Sequence, residues 1–232
     1  LAVVEELDPF LEEQIKAMGI TVHFGKNVLP LCGEFSQRLV KEKISGSRLS
    51  MKEPVAGLIM RPPTFCPGCS HRGLFTVLAK LKLTVSGDIG CYTLGALPPF
   101  SAMHTCICMG ASISAAHGMA RGLALQGVQQ KPIAVIGDST FLHSGITGLI
   151  NMVYNGGDAI VIIMNNDTTG MTGGQEHAGT GRTARGTEAP RIDIAKLCQA
   201  IGSKRVREID AYNIKDIERT MMTNLPVDLA RP

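Results

Sequence analysis

The chain has 232 residues, of which 44% are hydrophobic and 19% are charged, and its formal net charge at pH 7 is +3. This composition suits a globular protein with a full core and excludes a chain that is disordered throughout. The small net charge gives no reason to expect nucleic acid or a membrane surface as a partner, and apolar runs such as residues 159–164 are far shorter than the roughly 20 residues of a membrane helix.

The first 30 residues follow the order strand, helix, strand, with predicted boundaries at 1–5, 8–18 and 20–24. This order is typical of the C-terminal part of an α/β domain. The first strand begins at Leu1 without a preceding turn, so we expect the chain to be an excerpt from a longer polypeptide. Residues 31–60, with a short helix at 37–43, are predicted to form a linker.

From residue 61 onward, predicted strands and helices alternate, and the strands are apolar on both faces. The predicted helices span residues 73–82, 111–126, 144–154, 192–200 and 214–222. The predicted strands span residues 83–86, 133–136, 160–164, 205–208 and 227–230. This order predicts an α/β domain over residues 61–232, with a parallel sheet that is covered by helices on both faces. Ligands of such sheets bind at the carboxyl ends of the strands.

Polar residues follow two of these predicted strands, as Gly137-Asp138-Ser139 and as Asn165-Asn166. The 25 residues between Ser139 and Asn165 are enough for one crossover helix and a returning strand, so the two strand ends can lie side by side. Asp138 and Asn166 would then approach each other and offer oxygen ligands to Mg²⁺. Taken separately, each half of the pattern is more typical of a capping Asp or of a turn Asn pair in an ordinary α/β protein.

The same strand end has features that suit an anionic cofactor. Gly137 allows close approach of the backbone to a diphosphate. Ser139, Thr140 and the start of the next helix offer hydrogen-bond donors to the phosphates. Together with the acidic and amide side chains, these donors predict a diphosphate that is bound through a magnesium ion.

The chain has seven cysteines. An odd number in a large domain without a visible signal segment argues against disulfides and favours metal ligation, so we expect a cytoplasmic protein. Cys66-Pro67-Gly68-Cys69 has the spacing of a pair that holds zinc or an iron–sulfur cluster, or of a thioredoxin-like redox pair, and Cys91 follows. A fourth cluster ligand is not evident, because Cys198 fits better as a small buried hydrophobic residue on an apolar helical face.

The two motifs and their surroundings resemble the 2-oxoacid:ferredoxin oxidoreductases, and among them the alpha subunits of indolepyruvate ferredoxin oxidoreductases. The stretches that carry the resemblance are residues 65–72, 87–95, 108–113, 137–146 and 171–175. In these subunits Gly-Asp-Ser replaces the Gly-Asp-Gly that is usual in thiamine diphosphate proteins, and Ser139 fits this replacement.

The resemblance implies a thiamine diphosphate-binding fold and a set of site residues. The implied Mg²⁺ ligands are Asp138, the Asn166 side chain and the Thr168 carbonyl, and the implied iron–sulfur ligands are Cys66, Cys69 and Cys91. The implied cofactor-binding residues are Gly90, Cys91, Gly110, Gly137, Ser139, Thr140, Asn165 and Thr172. His71, after the cysteine loop, and His177, in the later Gly-rich loop, are candidates for catalysis, although either is equally consistent with an ordinary loop histidine.

The implied reaction is the oxidative decarboxylation of 2-oxo acids, such as the aryl pyruvate indolepyruvate, with coenzyme A and with reduction of ferredoxin. The implied cofactors are thiamine diphosphate, Mg²⁺ and a 4Fe–4S cluster, and a smaller second subunit is expected. The family's activating glutamate lies in a separate pyrimidine-binding domain, so we expect this chain alone to be inactive. Two alternatives stay open, namely a non-oxidative thiamine-dependent decarboxylase and a non-catalytic nucleotide-binding module that is stabilised by zinc on the three thiolates.

Overall fold

The computed structural model describes residues 1–47, 50, 57–59 and 61–224, and the chain divides into two compact units, Leu1–Met60 and Arg61–Pro232. The first unit contains the helices α1 (Phe10–Ala17) and α2 (Gln37–Ser45). The strands predicted at 1–5 and 20–24 are reduced to one parallel bridge between Ala2 and Phe24. The described part of this unit has no third strand to support them, and two short strands alone are marginally stable.

The second unit is built on a four-stranded sheet in which every neighbouring pair is parallel. Its strands are β1 (Val85–Gly87), β2 (Thr105–Cys106), β3 (Ile133–Gly137) and β4 (Ile160–Met164), in the spatial order β2-β1-β3-β4. Its α-helices are α3 (His71–Leu81), α4 (Ala111–Leu125), α5 (Asp138–Thr140), α6 (Ile146–Tyr154), α7 (Ile194–Ile201) and α8 (Ile214–Asn224). A 3-10 helix spans Cys91–Ala96, and a π-helix, Phe141–Gly145, joins α5 to α6.

Strand β3 divides the core, because its side chains alternate between the two faces of the sheet. Ile133 and Val135 pack with residues of α3 and α8. Ala134 and Ile136 pack with residues of α4, α6 and α7, including the buried Cys198. The sheet is therefore covered by helices on both faces, which confirms the predicted α/β class.

Several boundaries differ from the prediction. The helix expected from residue 144 begins at Asp138, directly after β3, so the Asp138–Thr140 segment is a helix start rather than a loop. Residues 205–208 form no strand; Arg205 and Arg207 are exposed, and only Val206 packs on the core. The strand predicted at 227–230 lies outside the described residues. Within the described part, no helix has the length and apolarity needed to span a bilayer.

Candidate functional site

Asp138 and Asn166 meet at the carboxyl edge of the sheet. Strands β3 and β4 are neighbours, with Gly137 opposite Met164, so the residues that follow them emerge together. Asp138 is 2% exposed; its Oδ1 accepts a hydrogen bond from the Ser139 backbone N–H (2.8 Å), and its Oδ2 accepts one from the Asn166 backbone N–H (3.2 Å). The parallel register therefore holds a buried carboxylate beside the loop that follows β4.

Three polar groups converge at this edge. One terminal atom of the Asn166 amide lies 3.3 Å from Asp138 Oδ1 and 2.8 Å from the backbone carbonyl oxygen of Thr168. With its nitrogen at that position the amide donates to both oxygens, whereas with its oxygen there the three oxygens can surround a cation. Adjacent oxygens of an octahedral Mg²⁺ ion, with bonds of about 2.1 Å, lie about 3.0 Å apart. The donor set and its spacing therefore fit a magnesium ion.

His177 lies beneath the same carboxylate. Its side chain is fully buried, and its Nε2 is 3.3 Å from Asp138 Oδ2. The backbone N–H of Gly179 donates to His177 Nδ1 at 3.1 Å, so Nδ1 is the acceptor and the proton of the neutral ring is on Nε2. The distance to Asp138 suits a hydrogen bond, yet Nε2 has no well-aligned partner among the described residues.

His71 lies in a stack of rings next to the cysteine loop. Its ring is stacked between those of Phe65 and Tyr92, with centroids 6.1 Å away on each side. Its Nδ1 lies 3.3 Å from the Cys69 sulfur. Burial lowers the pKa of His71, and the negative charge of Asp138 opposes that shift only in part, so the imidazole is kept neutral beside the candidate metal site.

Tyr92 was not singled out by sequence reasoning, yet it explains two of the predicted glycines. A Cβ atom added to Gly137 would lie 2.8 Å from Tyr92 Cε1, and one added to Gly90 would lie 2.6 Å from the same atom. The Tyr92 hydroxyl donates to the carbonyl oxygen of Ile89 at 2.8 Å. Gly137 is therefore required by a packed aromatic ring, in addition to any approach of a diphosphate.

The glycine requirement can be tested by adding one methyl group. Gly137→Ala should lower the free energy of unfolding by about 1–3 kcal/mol, because the new Cβ overpacks against the buried Tyr92 ring. The matched control is Gly118→Ala on α4, where a Cβ meets nothing within 4 Å. That change should stabilise the helix by about 0.5–1 kcal/mol. Urea denaturation measures both, and equal stabilities of the two variants would contradict the packing described here.

The Tyr92 phenol should give the protein a distinct sensitivity to alkali. Burial raises the pKa of Tyr92 to about 12, from an ordinary value of 10. Because the folded state holds the proton more tightly than the unfolded state, this contribution to stability is complete below pH 10 and is lost as the pH rises to about 12. Urea unfolding across this range should show a smaller loss of stability for Tyr92→Phe than for the unmodified protein, and equal losses would refute the prediction.

The other predicted cofactor residues divide into buried and exposed groups. Ser139 and Thr140 are buried, and the Ser139 hydroxyl accepts a hydrogen bond from Thr169 Oγ1 at 2.8 Å, which ties the two loops together. Asn165 and Thr172 are exposed. The Asn165 side-chain oxygen accepts a hydrogen bond from the Asp167 backbone N–H. The Thr172 hydroxyl donates one to the Gln175 side chain. The exposed pair is thus available to a ligand at the sheet edge.

Gly110 and Asp88 together begin helix α4. Gly110 is the N-cap residue, with φ of 89°, and has no side chain to cap the helix. Asp88, which is fully buried after β1, accepts hydrogen bonds from the backbone N–H groups of Gly110 (2.8 Å), Ser112 (3.0 Å) and Ile89 (2.9 Å). A distant carboxylate therefore caps α4, a role that sequence reasoning missed because local spacing does not show it.

The three candidate cluster cysteines lie at the amino end of α3 and in the 3-10 helix. Burial raises the pKa of the Cys91 thiol, and the charges of Cys69 and Cys66 raise it further. A Cβ atom at Gly170 would lie 3.6 Å from both the Cys91 sulfur and Asn166 Nδ2. Cys91 therefore adjoins the Asp–Asn edge. In the part of the chain that the structure describes, no three His, Cys, Asp or Glu residues are grouped closely enough to hold a single metal ion.

Residues 88–228 match the model of the family described as thiamine pyrophosphate enzyme, C-terminal TPP binding domain. The chain belongs to this family, and its predicted thiamine diphosphate-binding fold is confirmed. The match covers the sheet edge where the oxygens of Asp138, Asn166 and Thr168 converge.

More specific relatives are known by sequence. The chain is 36% identical to indolepyruvate oxidoreductase subunit IorA of Pyrococcus horikoshii, over 97% of this chain and 39% of that subunit. It is also 36% identical to the IorA subunit of Archaeoglobus fulgidus, over 92% of this chain and 36% of that subunit. The predicted resemblance to these alpha subunits is confirmed, and the chain spans less than two fifths of their length.

A solved structure shows the same fold. The 2-oxoglutarate:ferredoxin oxidoreductase from Magnetococcus marinus, determined with 2-oxoglutarate, coenzyme A and succinyl-CoA bound, aligns with a TM-score of 0.60. The sequence identity is 18%, and the alignment covers 71% of this chain and 60% of that one. At this identity the likeness concerns the fold alone.

Proposed function

We propose that this chain supplies the thiamine diphosphate- and Mg²⁺-binding site of an oxidoreductase that oxidatively decarboxylates 2-oxo acids. Aryl pyruvates such as indolepyruvate would be the substrates, coenzyme A the acyl acceptor and ferredoxin the electron acceptor. The family match and the 36% identity to IorA subunits support the reaction. The observation that carries the proposal is the meeting of the Asp138 carboxylate, the Asn166 amide and the Thr168 carbonyl at the edge of the sheet.

In this proposal Asp138, the Asn166 side chain and the Thr168 carbonyl are the protein ligands of Mg²⁺. Asp138 supplies the only negative charge among the three, so it is the protein ligand that attracts the cation most strongly, beside the charge of the diphosphate. The diphosphate would be held by backbone and hydroxyl donors. Those donors belong to the predicted set of Gly90, Cys91, Gly110, Gly137, Ser139, Thr140, Asn165 and Thr172.

Thiamine diphosphate, when bound, supplies the electron sink that makes loss of CO₂ from a 2-oxo acid feasible. Of the two histidines expected to be catalytic, His71 keeps that proposed role, whereas His177 is buried beneath Asp138. His71 is neutral at the site edge, so it is available to accept or hold a proton near the cofactor.

Electron transfer is proposed to use a 4Fe–4S cluster on Cys66, Cys69 and Cys91. The Cys91 sulfur would lie 3.6 Å from a Cβ atom added to Gly170, in the loop that follows the metal-binding edge, so a cluster there would be close to the cofactor. A smaller second subunit and a cytoplasmic location complete the proposal.

An iron count distinguishes this reaction from non-oxidative decarboxylation. The intact protein, purified without oxygen, should contain iron, and Cys91→Ser should lose much of it because one of the thiolate ligands is removed. Cys198→Ser is the matched control, since Cys198 is buried in the helical core and away from the cysteine loop. Absence of iron together with retained decarboxylation would favour the non-oxidative alternative.

Calorimetric titration with thiamine diphosphate tests the proposed function itself. Binding to the intact protein should require Mg²⁺ and should disappear when a chelator is added. Binding of equal strength with and without Mg²⁺ would remove the role of the three oxygens. Zinc without thiamine binding would favour the non-catalytic alternative.

A further inference from the structure

The buried His177 has a hydrogen-bond donor that the fold leaves without a well-aligned partner. Its ring is inaccessible to solvent, and Gly179 N–H fixes the proton on Nε2. An unsatisfied buried donor costs about 1–3 kcal/mol. An acceptor within reach of this donor is Asp138 Oδ2, 3.3 Å away.

The two oxygens of Asp138 have different surroundings. Oδ2 faces His177 and the Asn166 backbone N–H. Oδ1 accepts a hydrogen bond from the Ser139 backbone N–H and faces the Asn166 amide, on the side where Asp138, Asn166 and Thr168 meet. Each oxygen thus has a backbone donor, and Oδ1 is the one that is directed to the metal-binding edge.

We propose that His177 is a positioning residue for the magnesium site, and that its Nε2–H orients the Asp138 carboxylate so that Oδ1 faces the cation. This inference rests on the proposed function, because it needs Mg²⁺ at that edge. It also changes the role first expected for His177, since a side chain that is buried beneath Asp138 acts through that carboxylate rather than by touching substrate. Hydrogen-bonded partners of metal-binding carboxylates commonly tune metal affinity in this way.

Two substitutions separate hydrogen bonding from packing. His177→Met keeps the approximate volume and removes the donor, whereas His177→Gln offers an amide N–H close to the position of Nε2. In the intact protein with thiamine diphosphate present, His177→Met should weaken Mg²⁺ binding by about 10–100-fold. His177→Gln should bind Mg²⁺ nearly as tightly as the unmodified protein.

A third variant covers the case in which changes at His177 prevent folding. A Cβ atom at Gly179 would lie 2.9 Å from His177 Cε1, so Gly179→Ala displaces the ring while keeping the residue. It should weaken Mg²⁺ binding in the same direction as His177→Met. The readouts are calorimetric Mg²⁺ titration and the electron paramagnetic resonance signal of bound Mn²⁺, neither of which depends on turnover.

The outcomes are distinct. Unchanged Mg²⁺ affinity in His177→Met or in Gly179→Ala would overturn the inference, as would equal losses in His177→Met and His177→Gln, which would indicate packing alone. If the unmodified protein shows no Mg²⁺-dependent cofactor binding, the proposed function fails, and the inference fails with it. If the unmodified protein binds Mg²⁺ and the variants bind it equally well, only the role of His177 is rejected.

Discussion

Replacing Asp138 with alanine should abolish Mg²⁺-dependent binding of thiamine diphosphate. Asp138 is the only charged residue among the three proposed ligands, and it is buried where solvent cannot replace it. Loss of a direct ligand should exceed the roughly 10–100-fold loss in metal affinity that is usual for an indirect partner. Calorimetric titration of the intact protein in the presence of Mg²⁺ measures the effect.

Two controls make this result specific. Asp138→Asn preserves the shape and removes the charge, so a similar loss would show that the charge is what matters. Asp158→Asn changes an exposed carboxylate that pairs with Lys131 on the surface, and should leave cofactor binding unchanged. If Asp138→Ala bound thiamine diphosphate and Mg²⁺ as tightly as the unmodified protein, the assignment of this edge as the metal site would be wrong.

Replacing Asp88 with alanine should cause the largest loss of stability in the second unit. Its carboxylate accepts three backbone hydrogen bonds in a fully buried position and caps helix α4. Removing it leaves three backbone N–H groups without their acceptor, including that of the buried Ser112, and removes a negative charge from the positive end of the helix. We expect a loss of about 3–5 kcal/mol in the free energy of unfolding, measured by urea denaturation.

A second capping aspartate provides the comparison. Asp193 caps helix α7 locally, with its side chain accepting from the Lys196 N–H on the protein surface. Asp193→Ala should cost only about 1 kcal/mol, because water can replace the lost bond. If both substitutions cost the same, Asp88 would be an ordinary cap and not the tie between β1 and α4.

The sheet edge was predictable because it depends on order along the chain. Two apolar runs joined by one crossover put Asp138 and Asn166 at neighbouring strand ends, and the parallel register of β3 and β4 places them there. The buried face of α7 was also predictable, because the side of the helix that carries Cys198 is apolar and packs in the core as expected.

What the sequence did not reveal are contacts between segments that are distant in the chain. The ring of Tyr92 packs against the backbone of Gly137, and the carboxylate of Asp88 reaches the start of α4. No pattern of spacing along the sequence predicts either contact. The strand predicted at 205–208 does not form. Its two arginines are exposed, and such side chains do not suit a strand of a buried sheet, so the tertiary context overrides the local pattern.

The most direct test of the metal site is a crystal structure of the intact protein with thiamine diphosphate and Mn²⁺ in place of Mg²⁺. The anomalous signal of the manganese should lie among the oxygens of Asp138, Asn166 and Thr168, at bond lengths of about 2.0–2.2 Å. The Asn166 amide should then present its oxygen to the ion. A manganese peak elsewhere, with the Asn166 nitrogen donating to Asp138 and to Thr168, would contradict the account.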